Sequence, residues 1–112
     1  MKNIRKHYQF KEFRKKGHRF KKSFFDLIVL KSDIYGNKDF GLAVITSKKI
    51  GNAVKRNKIR RWIKEYFRKP ENYIPFNINY LIITKPGIFE YDRDNILKDL
   101  KNGIEKIRKE YL

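Results

Sequence analysis

Between Lys48 and Arg68, nine Lys and Arg side chains stand against a single acid, Glu65. Residues of this kind bind phosphate: Arg offers a planar fork that matches two phosphate oxygens at once, and Lys offers a compact point charge. Spaced along a helix, Arg56, Arg60, Lys64 and Arg68 form an unbroken i, i+4 ladder of cations. Like charges at that spacing repel by a few tenths of a kcal/mol per pair, so a helix face that is merely solvated normally mixes its signs. An anionic partner explains the ladder more simply. Lys55, Lys58 and Arg61 widen the charge, and Asn52 and Asn57 supply neutral hydrogen bonds. Lys48 and Lys49 flank the point where the chain enters the helix. Free backbone N–H groups and the positive end of the helix dipole already favour an anion there.

Bond-breaking chemistry has far less to work with. The twelve acids are scattered, and Asp92 and Asp94 have the position of helix-start residues. His7 and His18 suit phosphate contact, but two separated histidines do not build a metal site. The chain contains no cysteine, which removes disulfides and thiolate zinc sites from consideration. The protein is expected to bind a phosphate-bearing partner without cutting it, and to hold no metal or cofactor of its own.

The elements that position the cations follow from periodicity. On a wheel of about 100° per residue from Asn52 onward, Ile59, Trp62, Ile63, Tyr66 and Phe67 share one arc, the spacing of a core-facing stripe. Asn57, Lys58, Arg60, Arg61, Lys64 and Arg68 take the opposite face. Asn52 is a suitable N-cap, and Lys69-Pro70-Glu71-Asn72 stops the helix. Upstream, Phe10 and Phe13 form an i, i+3 pair in a short helix over 8–16. Gly17 ends that helix, as glycine commonly does at a C-cap.

Residues 23–31 (SFFDLIVLK) read as a strand, 33–39 as a turn-rich hairpin loop, and 40–47 as the returning strand. Residues 79–84 (NYLIIT) form a well-covered strand. A last helix, capped by Asp92 or Asp94, carries Ile96, Leu97, Leu100, Ile104 and Ile107 at helical spacing. Gly103 costs it about 1 kcal/mol relative to Ala. The order is helix, strands, helix, strand, helix, which predicts an α/β (α+β) sandwich around one open mixed sheet.

Charge placement bounds the partners. The net charge is +17 over 112 residues, a length that fits one domain. Residues 1–22 hold ten Lys/Arg and one acid, and 48–68 hold nine and one, so these two segments carry the entire excess. Such a footprint points to nucleic acid. A basic amphipathic helix can also lie on anionic lipid, but the apolar stripe of 52–68 is needed by the core. The longest apolar run is Leu27 to Leu30, and the basic residues 1–6 are followed by no apolar signal core, so a cytoplasmic location is expected. Residues 1–6 read as a basic tail that orders on meeting its nucleic-acid partner.

The stretch Lys48 to Arg61, KKIGNAVKRNKIRR, followed by Trp62-Ile63-Lys64-Glu65, resembles the signature of the protein subunit of bacterial ribonuclease P. Phe10-x-x-Phe13-x-x-x-Gly17, two strands, the basic helix, a strand ending at Lys85-Pro86 and an amphipathic C-terminal helix come in that family's order. The resemblance implies an RNA subunit that performs the chemistry with Mg2+, and a protein that helps it remove the 5′ leader of precursor tRNA. It implies one protein per RNA, with Lys48 to Arg68 on the RNA subunit. It also implies a leader-binding cleft formed by Phe10, Arg14, Lys15, Lys16 and Ile28. Arg14 stands where relatives often place a second aromatic, and Phe13 suits the core. A left-handed crossover around the basic helix is implied too, against the usual right-handed rule. The alternative from another class is a ribosomal or ribosome-assembly protein that coats RNA without any processing role.

Overall fold

The structure, a computed structural model, describes residues 1–4, 7–32, 34–36, 38–46 and 51–111. Five strands, β1 (Lys2–Asn3), β2 (His18–Lys21), β3 (Phe25–Lys31), β4 (Gly41–Ile45) and β5 (Ile78–Thr84), join in one open sheet of order β1-β4-β5-β3-β2. Its pairing is mixed: β1 and β5 run parallel to β4, whereas β3 runs antiparallel to both β5 and β2. Three helices complete the fold, α1 (His7–Lys16), α2 (Ala53–Arg68) and α3 (Arg93–Tyr111), with short 3-10 turns at Pro70–Asn72 and Ile88–Glu90. The chain is thus an α+β sandwich, with α2 linking the parallel neighbours β4 and β5.

Strand alternation sorts the core into two layers. On one face Leu27, Val29, Leu42, Tyr80 and Ile82 pack with Ile59, Ile63 and Phe67 of α2 and with Ile96, Leu100, Ile104 and Ile107 of α3. On the other, Ile28, Ala43 and Leu81 meet Phe13 of α1 and Ile4. The register accounts for the grouping, since Ile28 and Ala43 both pair with Leu81, while Val29 and Leu42 both pair with Tyr80. Burial at Tyr80 pushes its phenol pKa far upward, and its hydroxyl donates to the Pro75 carbonyl at 2.6 Å.

The helix boundaries follow the capping chemistry. The Asn52 carboxamide oxygen accepts the Lys55 N–H at 2.9 Å, so α2 begins where a side-chain cap was expected. Pro70 follows its end, and the Asn72 amide donates to the Tyr66 carbonyl at 2.7 Å, satisfying one of the last acceptors. Of the two candidate caps for α3, Asp92 is the one used: its carboxylate accepts the Asn95 N–H at 2.9 Å.

Three readings of the sequence change, and one gains its reason. β2 was not anticipated, because HRFK has no apolar alternation and is held by edge pairing to β3. Residues 2–3, expected in a loose tail, pair with β4 instead, and the Met1 amine lies 2.6 Å from the Asp39 carboxylate; Arg5 and Lys6 lie outside the described residues. Gly17 ends α1 without a left-handed conformation. It is needed for closeness: an added Cβ would stand 2.3 Å from the Phe13 carbonyl oxygen and 2.7 Å from Ile28 Cγ2. Gly103 has a similar origin, since a Cβ there would come within 3.1 Å of Leu27. The missing side chain lets α3 lie close to β3, at a cost in helix propensity. In the segments read as the hairpin loop and the end of the returning strand, Asp33, Asn37 and Ser47 lie outside the described residues.

Candidate RNA interface

Along α2 the sequence builds an apolar face and a cationic face that meet at Arg56, which falls between Ile63 and Phe67 on the wheel. Ile59, Ile63, Tyr66 and Phe67 are buried, and Trp62 is partly so. Lys55, Asn57, Lys58, Arg61 and Arg68 are exposed, while Arg56, Arg60 and Lys64 are half-buried. Arg60 donates to the Asn57 carboxamide at 3.3 Å, and the Lys58 ammonium lies 5.1 Å from the Trp62 ring centroid, a cation–π contact. Arg56 Nε is buried with no hydrogen-bond partner among the described residues.

The one acid of the helix does not neutralise the ladder. Glu65 turns toward α3, where its carboxylate lies 3.7 Å from the Arg93 guanidinium. Beyond the Asn52 cap, Val54 is 76% exposed, so the first turn of α2 opens to solvent. Lys48 and Lys49, expected beside that turn, lie outside the described residues.

The opposite face of the sheet carries a groove of about 310 Å³ between α1 and the strands. Phe10 and Arg14 form its helical wall, and Ile28, Ile45 and Ile83 its floor. Phe13 is only 2% exposed and serves the core, as its spacing suggested. Arg19 enters from β2, where it pairs with Ile28, and its guanidinium binds the Asp26 carboxylate at 2.8 Å. Lys85 reaches the same carboxylate at 3.2 Å. A negative charge beside the groove is thereby offset by two cations.

Three expected cleft residues, Phe10, Arg14 and Ile28, line this groove. Lys15 and Lys16 do not. The reason is helix geometry: Phe10, Phe13, Arg14 and Gly17 recur at i, i+3, i+4 and i+7, and the two lysines rotate off that stripe. Lys16 pairs with Glu12 at 3.6 Å and lines a separate hollow with Gln9 and Ile34. Arg19, Ile45 and Ile83 were missed. The period-2 alternation of Leu81 with Ile83, and of Ala43 with Ile45, was the available signal, but placing it beside Phe10 requires the strand order.

Chemically the two surfaces offer groups suited to holding a ligand. Among the described residues no group of three or more His, Asp or Glu is arranged to hold a metal ion. The α2 face offers cations and amides to phosphates, and the groove offers an aromatic ring, an apolar floor and flanking guanidinium groups to an extended strand with unpaired bases.

Comparison with known proteins gives a consistent family. The family model described as Ribonuclease P matches residues 1–108. The chain is 33% identical to the ribonuclease P protein component of Listeria welshimeri over 97 residues, covering 87% of this chain and 80% of that one. Over 53 residues it is 42% identical to the corresponding component of Brevibacillus brevis, covering 47% of this chain and 42% of that one. Its structure superposes on that of the Staphylococcus aureus RNase P protein with a TM-score of 0.82 at 29% identity, covering 97% and 96% of the two chains. The Thermotoga maritima RNase P protein shares the fold, with a TM-score of 0.80 at 22% identity over 95% and 97% of the chains.

Proposed function

The chain belongs to the ribonuclease P protein family, and we propose that it is the protein subunit assisting a catalytic RNA in removing the 5′ leader of precursor tRNA. The observation that carries this reading is the undiluted cationic face of α2, whose single acid is drawn away to α3. That face binds the RNA subunit through Lys55, Arg56, Lys58, Arg60, Arg61, Lys64 and Arg68, with Lys48 and Lys49 adding charge at its start. The α1 groove receives the leader, with a base stacked on Phe10 and the strand's phosphates on Arg14 and Arg19. The RNA supplies the catalytic groups and takes the Mg2+ that its reaction uses, with one protein per RNA, in the cytoplasm. No described helix is long and apolar enough to cross a membrane, and the apolar side of α2 is occupied by the core, which disfavours a lipid surface.

The test is reconstitution. Added to a bacterial ribonuclease P RNA at low magnesium, the protein restores cleavage of precursor tRNA and produces none when the RNA subunit is omitted. Failure to stimulate favours a ribosome-associated role, and cleavage without the RNA subunit would make the protein a nuclease itself. One structural relative, a mutant of the Staphylococcus aureus protein, is described as defective in mRNA degradation activity, so the RNA-free arm includes an mRNA substrate.

Affinity for the RNA subunit should also depend steeply on salt. Neutralising about six to nine phosphates gives a slope of log K against log salt of roughly −4 to −8. A slope near −1 in a KCl titration would mean that the basic face is only solvated.

A further inference from the structure

Beyond the C-terminal end of α2 lies a hollow of about 780 Å³ that shares only Arg68 with the two surfaces described above. Its inner wall is aromatic: Phe40 lies 5.8 Å from Phe67 and stacks on Phe76 at 6.1 Å. Its rim carries Tyr73, which is 73% exposed, and Phe76, which is 46% exposed. Around these rings stand Lys38, Arg68 and Lys69. The one acid of the rim, Asp39, is held by the Met1 amine, which also keeps its carboxyl below the usual carboxylate range.

Tyr73 is displayed outward by a backbone that has been fixed for it. Its φ of 51° lies in the left-handed region, which bulky side chains seldom adopt. Arg108 of α3 secures this turn, with Nε donating to the Tyr73 carbonyl at 2.8 Å and Nη2 donating to the Asn72 carbonyl. The same guanidinium lies 5.6 Å from the Tyr73 ring centroid. Single exposed aromatics are ordinary. Two on the rim of one hollow, one of them on a strained turn clamped from another helix and both among cations, have the make-up of a platform for an unpaired base.

Continuity identifies the occupant. Arg68 is the last rung of the cationic ladder and also lines the hollow, so an RNA backbone that follows α2 arrives there. The surplus of positive charge disfavours a second copy of this chain. We propose that the hollow seats an unpaired nucleobase of the RNA bound along α2, stacked on Tyr73, with its flanking phosphates on Arg68 and Lys69. This rests on the RNA-binding reading given above.

The test compares Tyr73→Leu and Tyr73→Trp with the unsubstituted protein, using the full chain and a bacterial ribonuclease P RNA, with thermal melts to check folding. Expected are a loss of about five- to a hundredfold in affinity for Tyr73→Leu, affinity within about threefold of the parent for Tyr73→Trp, and unchanged melts. A Leu variant that binds as the parent does, while Arg60→Ala with Arg61→Ala loses affinity, would overturn this inference and leave the function intact. If neither change affects binding, the RNA-binding reading fails and takes this one with it. A Trp variant weaker by more than tenfold, or a Leu variant altered only in self-association, would likewise remove the nucleobase from the hollow.

Discussion

Ile63→Ala should lower the unfolding free energy by about 2–5 kcal/mol, the cost of a cavity where a buried branched side chain has been truncated. Ile63 has no exposed surface and sits where α2, α3 and the sheet meet. Domains of this size are stable by about 5–15 kcal/mol, so the loss is large enough to read from a urea or thermal melt. A change below about 1 kcal/mol would show that α2 is rotated relative to the core described above.

Arg60→Ala combined with Arg61→Ala should do the converse. Arg61 is exposed and Arg60 hydrogen-bonds to Asn57 on its own helix, so stability should stay within about 0.5 kcal/mol of the parent. Charge-assisted hydrogen bonds contribute roughly 1.5–3 kcal/mol each. Losing two of them weakens binding to the RNA subunit by roughly a hundred- to ten-thousandfold at low salt. Filter binding or calorimetry measures the second effect, and a melt measures the first. Should the melts rank the two substitutions in the opposite order, the assignment of the faces is wrong.

α2 was legible because three local signals agree: the Asn52 cap, the 3.6-residue stripe and the Pro70 stop all lie within one segment. β5 was legible because its apolar run is continuous. β1 and β2 were not, since neither LysAsn nor HisArgPheLys carries a pattern, and each exists only because another strand offers it a partner. Likewise, the helical wall of the groove could be read from Phe10 and Arg14. Its floor could not, because Ile45 and Ile83 reach it through the pairing of β4 with β5, a contact distant in sequence. Arg19 was hidden for the same reason, since its place beside Ile28 depends on an edge strand. Lys15 and Lys16 were included by charge, and the helical angle places them off the stripe that lines the groove. The clamp of Arg108 on the Tyr73 turn left no local trace, as 35 positions separate the two residues.

The division between an RNA-subunit face and a leader groove is tested most directly at Phe10. The assembled ribonucleoprotein, with either the parent protein or Phe10→Ala, is titrated with leader-bearing precursor tRNA and with mature tRNA. A stacked base contributes about 1–3 kcal/mol, so Phe10→Ala should weaken the precursor complex by about five- to a hundredfold and leave mature tRNA within about twofold. Equal losses for both ligands, or none for either in a protein that melts normally, would contradict a leader site in the α1 groove.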